Sequence, residues 1–377
     1  MLSIIECIHK TNQINSFPHN TKQHIKTDHK TIKDFLGMQL SSSTNPNLHP
    51  AVLSLGLQYA DGSIRGANSR CKAMFRAFKQ VINDYTFPTD MKDFRQDLEN
   101  RVLKPAFSYW TQCRIHSVTM GNAFTFLKLA VANLDRDLKL PEVKSILSES
   151  MDAFIEERIE FADKAICEYA SSKIMEGDVI LTYAKNELIQ ILLSNQAQVK
   201  KFRVILVDSR PLLEGKDMLD KLMEAGIECT YILLNSVSYV MKEVTKVFLG
   251  ASALMSDGSI LSRVGTASVA LMAKSHNVPV LVCCETYKIS NRVQLESITG
   301  NELGDPNGLT SPSTPLKEWK DAHSDSLRLL NLLYDLTPSE FVSGIVTEMG
   351  ILPPTSVAVL LREMNPQDSG FKAEDFS

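Results

Sequence analysis

From residue 179 onward, short apolar runs rich in β-formers alternate with stretches of helical spacing, and few folds accept that alternation. The runs are 179–183, 203–208, 228–234, 247–251 and 278–283; the helical stretches are 186–193, 216–225 and 264–275. Strands without polar alternation must be covered on both faces, and parallel pairing needs a crossover helix to bring the chain back. The pattern predicts a Rossmann-like parallel sheet within 176–365. Its end reads as closing helices over 327–336 and 338–349 and a final strand over 357–361. A loop rich in Gly, Pro, Asp and Ser is predicted for 301–315.

The preceding part, 49–175, has a helical period instead. Pro50 is suited to a first helical turn, and apolar residues recur at helical spacing from Gly66 to Ile82. A break follows at 85–90, and another helix is predicted over 118–132. The longest stripe is Leu147, Met151, Ile155, Ile159, Ala162, Ile166 and Ala170, in steps of three and four. Glu157 and Phe161 lie one turn apart, off its centre. Phe161 is read as flanking the core, with a partner surface as the alternative. The fold class is α/β: an N-terminal helical domain followed by a Rossmann-like parallel-sheet domain.

Residues 1–48 form a polar leader rich in Thr, Asn, His and Lys, and too poor in apolar surface to offset its ordering entropy. It is expected to be disordered, and 366–377 to be a flexible tail. His9, His19, His24 and His29 sit in the leader at spacings that fit no compact metal site. No metal site is expected. The formal net charge of -4 gives no reason to expect nucleic acid or an anionic membrane as a direct partner. An uninterrupted apolar run of about 18 residues, the length of a membrane span, does not occur. The seven cysteines form no CxxC pair, and Cys283 and Cys284 sit in an apolar run as small buried hydrophobes do. A reducing, cytosolic compartment is expected.

In an open parallel sheet, ligands lie outside the carboxyl ends of the strands. Those ends carry Thr182-Tyr183-Ala184, Asp208-Ser209-Arg210, Gly250-Ala251-Ser252 and Cys284-Glu285. They include no histidine, no serine with an adjacent base and no paired carboxylates. Asp208 and Glu285 are the acids there, each as able to cap a following helix as to move a proton. Neither GxGxxG after the first strand nor GxxxxGK[ST] is present, so no nucleotide cradle is evident and no cofactor is expected. An anion pocket has scattered candidates: Arg65 with Gly66, Arg210, and Arg263 with Gly265-Thr266. Arg263 precedes a helical stretch whose free N–H groups suit an anion. The alternative is that Gly265 allows close packing and Arg263 makes an ion pair.

These runs carry a family resemblance. Ser209-Arg210-Pro211-Leu212-Leu213-Glu214-Gly215 and Ser262-Arg263-Val264-Gly265-Thr266-Ala267 resemble signatures of one superfamily. It holds the methylthioribose-1-phosphate and ribose-1,5-bisphosphate isomerases and the alpha, beta and delta subunits of initiation factor 2B. His49-Pro50-Ala51, Leu55-Gly56-Leu57-Gln58-Tyr59, Thr111-Gln112-Cys113-Arg114 and the run from Asn277 to Lys288 are similar to the delta branch. Asn301-Glu302-Leu303 and Leu327-Arg328-Leu329-Leu330-Asn331 follow in that order, and the similarity spans 49–361.

The resemblance implies that the chain is not an enzyme. The isomerases place a catalytic cysteine just after the first strand, where this chain has Ala184. They also carry an aspartate in a Gly-Ala-Asp-Arg run, which here reads Gly250-Ala251-Ser252-Ala253. Neither alanine nor serine matches the proton-transfer groups that an aldose–ketose isomerisation needs. Arg65-Gly66-Ala67 does resemble the isomerases' phosphate-binding run, so a relic pocket at Arg65, Gly66, Arg210, Arg263 and Gly265 is the open alternative. With it goes a rival function, as an isomerase or a metabolite sensor.

By the same resemblance the chain is expected to pair with a beta-subunit paralogue, join an alpha dimer and carry gamma and epsilon arms. Together these form the guanine-nucleotide exchange complex of initiation factor 2. The helical domain is expected to help recognise the alpha subunit of that factor and sense its phosphorylation. Arg114, Glu157 and Phe161 are candidate contacts, and Leu55 is a candidate at the junction between paralogues. Delta subunits often carry a longer basic leader, so either this one is compact or its N-terminus is incomplete.

Overall fold

In the computed structural model the longest apolar stripe is buried, with one interruption that spacing alone does not show. Helix α6 (Leu140–Ile155) passes through a π-helical stretch (Glu156–Phe161) into α7 (Ala162–Ser171). Leu147, Met151, Phe154, Ile159, Ala162, Ile166 and Ala170 are all buried. The step from Phe154 to Ile159 is one residue too long for α-helical stacking, and the wider turn absorbs it. Ile155, on the predicted stripe, is only half-buried.

The structure describes residues 48–87, 93–294, 297–298, 301–310 and 327–364. The expectations for the leader up to residue 47, its histidines, 88–92, 311–326 and the tail fall outside them. The described residues from His49 onward belong to one compact unit.

Helix α1 (Pro50–Ala60) starts as predicted, with Pro50 in its first turn and His49 Nδ1 accepting the Ala51 N–H at 3.1 Å. Helix α2 (Ala67–Asp84) follows Gly66, whose φ of 88° favours glycine. A short α3 (Phe94–Asp97), a second π-helical stretch (Leu98–Leu103) and α4 (Lys104–Cys113) run on, then α5 (Val118–Ala132). Their core is aromatic. Phe78 meets Trp110 edge-on at 4.9 Å, and the Trp110 indole donates to the Val52 carbonyl at 2.9 Å.

The main sheet has seven strands, ordered β11-β10-β7-β4-β1-β2-β3. They are β1 (Val179–Tyr183), β2 (Arg203–Asp208), β3 (Glu228–Leu233), β4 (Lys246–Gly250), β7 (Val280–Cys283), β10 (Gly344–Thr347) and β11 (Gly350–Leu352). All neighbours pair in parallel except β10 with β11. Helices α8 (Glu187–Gln196) and α9 (Gly215–Glu224) join α7 on one face, where Ile166, Leu188, Leu192, Met218 and Phe248 share a buried cluster. Helix α10 (Thr266–Ser275) and α11 (Val357–Met364) cover the other, through Val269, Ala273, Val357 and Leu360. The predicted strands and helices of 179–283 are thus present, with ends shifted by up to three residues.

The C-terminal expectations need correction. Residues 327–336 are not a helix: the segment extends into strand β9 (Tyr334–Thr337). This strand joins a second sheet, ordered β8-β5-β6-β9, with β5 (Ala253–Met255), β6 (Ile260–Arg263) and β8 (Ile289–Ser290). Residues 338–349 are not a helix either; they hold one 3₁₀ turn and β10, paired with β7 and β11. Conversely, 357–361 is helical, not extended: Val357 and Leu360 are buried while Val359 is half-exposed, a spacing of three.

Candidate functional site

The chain goes from β1 outward to β3 and returns beyond β1 to β4, so the strand order reverses between β1 and β4. A ligand crevice is expected outside the carboxyl ends there. The side chain of Asn186 holds the place: it caps α8, accepting the Ile189 N–H at 3.0 Å. It also lies so close to Gly250 that an added Cβ would stand 1.7 Å from its Nδ2. Ala184, just after β1, is buried in left-handed backbone at φ 53°. Ser252 is half-buried, its N–H donating to the Leu261 carbonyl at 2.9 Å.

Beside this point lies a small cleft lined by Ala184, Asp208, Ser209, Arg210, Glu214 and Arg263, among others. Its free volume is about 10 Å³, roughly what one water needs. Two of the candidate arginines converge there on one carboxylate. Arg65 Nη1 donates to Glu214 Oε1 at 3.1 Å, and Arg263 Nη2 donates to Glu214 Oε2. Arg65 is also tied to its own turn, Nε donating to the Gly62 carbonyl at 2.8 Å. Arg210 lines the same cleft and is exposed.

The neighbouring helix end is treated likewise. At the start of α10 the Gly265 and Ala267 amides both donate to Asp335 Oδ2, at 2.6 and 3.0 Å. Burial pushes the Asp335 carboxyl up to about 6, against the pull of these two amides. Gly265 is fixed by close approach, as the packing alternative held: at φ 107°, a Cβ there would stand 2.2 Å from the Tyr183 hydroxyl oxygen. Asp208 is spent on structure too. It accepts the Ser209 and Gly215 amides at 2.8 and 2.9 Å, closing the start of α9, and the Tyr231 hydroxyl at 3.0 Å.

A second polar cluster joins the helices to the end of β7. Glu285, fully buried, lies 2.7 Å from Lys288, itself 5% exposed. Asn68 of α2 donates to Glu285 Oε1 at 2.6 Å and accepts the Tyr287 hydroxyl at 2.6 Å. Burial works against the Glu285 charge, but Lys288 and Asn68 hold its carboxyl below the usual range. Asp163 of α7 has the opposite fate. Its Oδ1 is buried and meets no donor, and burial together with the Glu285 charge pushes its carboxyl up to about 8. Cys284 and Cys283 lie fully buried nearby, their thiols pushed up by burial, as their apolar run predicted.

The other candidates are spread out. Arg114 is largely buried, and its Nε donates to Glu302 Oε1 at 2.5 Å, joining the end of α4 to the segment after 300. Leu55 is buried within the helical core. Phe161, by contrast, is 50% exposed, under the Lys164 ammonium 5.2 Å from its ring centre. Off the stripe's centre, it lies at the exposed margin of the helix. Glu157 opens on a groove of about 350 Å³ shared with Arg158, Glu348, Met349 and Glu363. Glu214 and Asp335 escaped the sequence reading; the one available signal was that Glu214 stands inside the Ser209–Gly215 run among candidate arginines. Among the described residues, no three His, Cys, Asp or Glu side chains are grouped to hold a metal ion, and no helix is long and apolar enough to cross a membrane.

A mixed α/β unit with its rim filled by its own side chains defines a class, and comparison with known proteins names it. Residues 63–354 match the initiation factor 2 subunit family, and the chain belongs to that family. It is 44% identical over 339 residues to translation initiation factor eIF2B subunit delta of Dictyostelium discoideum, over 86% of this chain and 54% of that one. The chain thus spans about half the length of that relative. To the ribose 1,5-bisphosphate isomerase of Thermococcus kodakarensis it is 28% identical, over 83% of this chain and 94% of that enzyme. Among solved structures it resembles a chain of the tetrameric eIF2B-beta2-delta2 complex from C. thermophilum. That match has a TM-score of 0.72 and 31% identity, over 81% of this chain and 94% of that one.

Proposed function

We propose that this chain is a non-catalytic regulatory subunit of the cytosolic guanine-nucleotide exchange complex for translation initiation factor 2. The observation that carries the reading is the filled rim: Glu214 engages Arg65 and Arg263, and Asp335 holds the amides of α10. Ala184 and Ser252 stand where the resemblance to the isomerases would put a cysteine and an aspartate, and neither suits proton transfer. The similarity to an eIF2B delta subunit and to a beta–delta tetramer supports an assembly role, with beta, alpha, gamma and epsilon subunits as partners. Affinity purification of tagged chain from its own cytosol tests this. Recovery of four further exchange-factor subunits in near-equal amounts is expected. Recovery of a self-oligomer alone, together with turnover of a pentose phosphate, would replace the reading with an isomerase.

The exposed face around the π-helical turn is the surface for the alpha subunit of initiation factor 2 in this reading. Glu157 and Phe161 are exposed on it, whereas Arg114 is engaged with Glu302 and acts by holding the fold. Leu55, being buried, would influence a paralogue junction through the packing of α1. Sensing of phosphorylation requires different affinities for the two forms of the factor. Alanine at both Glu157 and Phe161 should weaken binding of the phosphorylated alpha subunit and leave assembly intact; unchanged binding removes these residues from the surface.

A further inference from the structure

We propose that Glu214 is a built-in anion: its carboxylate occupies the position between Arg65 and Arg263 that a phosphate-sized oxyanion would take, and so keeps the cleft closed. Both guanidinium groups address it, one from the turn before α2 and one from the end of β6. These residues lie 149 and 49 positions away in the chain, so the contact is tertiary and not a by-product of local structure. Glu214 is also free of any local duty. It occupies the position before α9 yet makes no side-chain bond to that helix, because Asp208 accepts the Gly215 amide instead. Two planar guanidinium forks converging at the crevice end of a parallel sheet form an oxyanion receptor by chemistry alone. With the carboxylate in place, the cleft beside it, lined by Arg210, Glu214 and Arg263, has a free volume of about 10 Å³, roughly one water.

The inference rests on the same filled rim as the non-catalytic reading, and its test is separate from that of assembly because it concerns one cleft and not the partners. The test uses the full chain, with any subunits that stay bound, and titrates inorganic phosphate against sodium chloride of equal ionic strength. Binding is read by calorimetry and by thermal shift. Wild-type chain should show no saturable response. Glu214→Ala, which removes both charge and bulk, should bind phosphate roughly tenfold or more tightly than wild type, about the worth of one freed charge-assisted hydrogen bond. Adding Arg263→Ala to that variant should abolish the gain. If Glu214→Ala does not fold, Glu214→Ser, which removes the charge and most of the bulk, should still bind more tightly than wild type. Wild-type binding equal to that of the variant, lost on Arg65→Ala, would overturn the plug and make the cleft a working anion site. A folded Glu214 variant that ignores phosphate would overturn it as well. Neither result bears on whether the exchange-factor subunits co-purify.

Discussion

Two groups of carboxylates lie near the carboxyl ends of the parallel strands, and the protein holds them in different ways. At the rim, Glu214 meets two arginines in partly solvated surroundings: the side chains of Glu214 and Arg263 are 20% and 19% exposed, and Arg65 is 44% exposed. At the junction with the helices, Glu285 and Lys288 are both buried, with Asn68, Tyr287 and Asp163 packed around them. In the first group, water can reach a charge that loses its partner. In the second, any unpaired charge would stand in a medium that cannot solvate it. A single sheet edge therefore carries a neutralised receptor and a structural ion pair, and the two should respond to substitution very differently.

The largest effect is expected from Lys288→Met. It strands the buried Glu285 carboxylate, which should cost about 3–5 kcal/mol, or prevent soluble accumulation. Adding Glu285→Gln should recover most of that loss, because the penalty lies in the orphaned charge and not in the missing pair. Urea denaturation of the two variants measures both. No recovery in the double variant would mean that Lys288 acts through its bond to the Ala251 carbonyl instead. Next comes Asp335→Ala, which leaves the Gly265 and Ala267 amides without their acceptor at a buried helix end. A loss of about 1–3 kcal/mol is expected in the same assay. A loss below the resolution of the assay would show that water replaces the carboxylate.

How far these groups could be read from sequence depends on what makes them visible. Strands β1 and β2 coincide with the predicted 179–183 and 203–208 because each is built on a short buried apolar run, 179–181 and 204–207. Strand β9 hides for the opposite reason. Its buried positions are Asp335 and Thr337, while Tyr334 and Leu336 are half-buried, so its alternation places polar side chains inside. Asp335 is inside because it serves α10, a demand set by tertiary contact. At the site, Arg65 and Arg263 could be marked as basic residues beside glycines, and Arg210 with them. That Glu214 would neutralise two of them depends on topology, which residue spacing does not encode. Phe161 sits off the centre of the stripe, one residue before buried Ala162, and is 50% exposed.

Asp163 sharpens the comparison through pH. Its carboxyl faces Glu285 and Lys288 from the end of β7 and Lys72 from α2, and burial with the Glu285 charge pushes it up to about 8. The folded state then holds a proton that the unfolded chain releases near the ordinary value of 3.8. Stability linked to this group is complete below about pH 4 and declines as the pH rises toward 8. Asp163→Asn mimics the protonated form and removes the decline. The variant should gain on wild type with rising pH, by about 1–2 kcal/mol near pH 8 after allowance for coupling and partial exposure, and level off above it. Denaturation midpoints at several pH values read the gap. A gap that does not change with pH would mean that Lys72 and Lys288 keep Asp163 ionised throughout.

The smallest loss is expected where the charge contacts look most numerous. Glu214→Ala removes two ion pairs at once, yet both involve partly exposed groups whose attraction competes with hydration and is screened by salt. Its cost in stability should be about 1 kcal/mol or less. Part of that cost comes from two guanidinium groups left facing each other, so it should shrink between about 0.05 M and about 0.5 M sodium chloride. Phosphate should reduce it further than chloride does, since a bound oxyanion restores what the carboxylate supplied. A salt-insensitive loss of about 3 kcal/mol or more would put Glu214 in the same class as Glu285. The rim would then be a second structural ion pair, and the distinction between the two ends of the sheet edge would collapse.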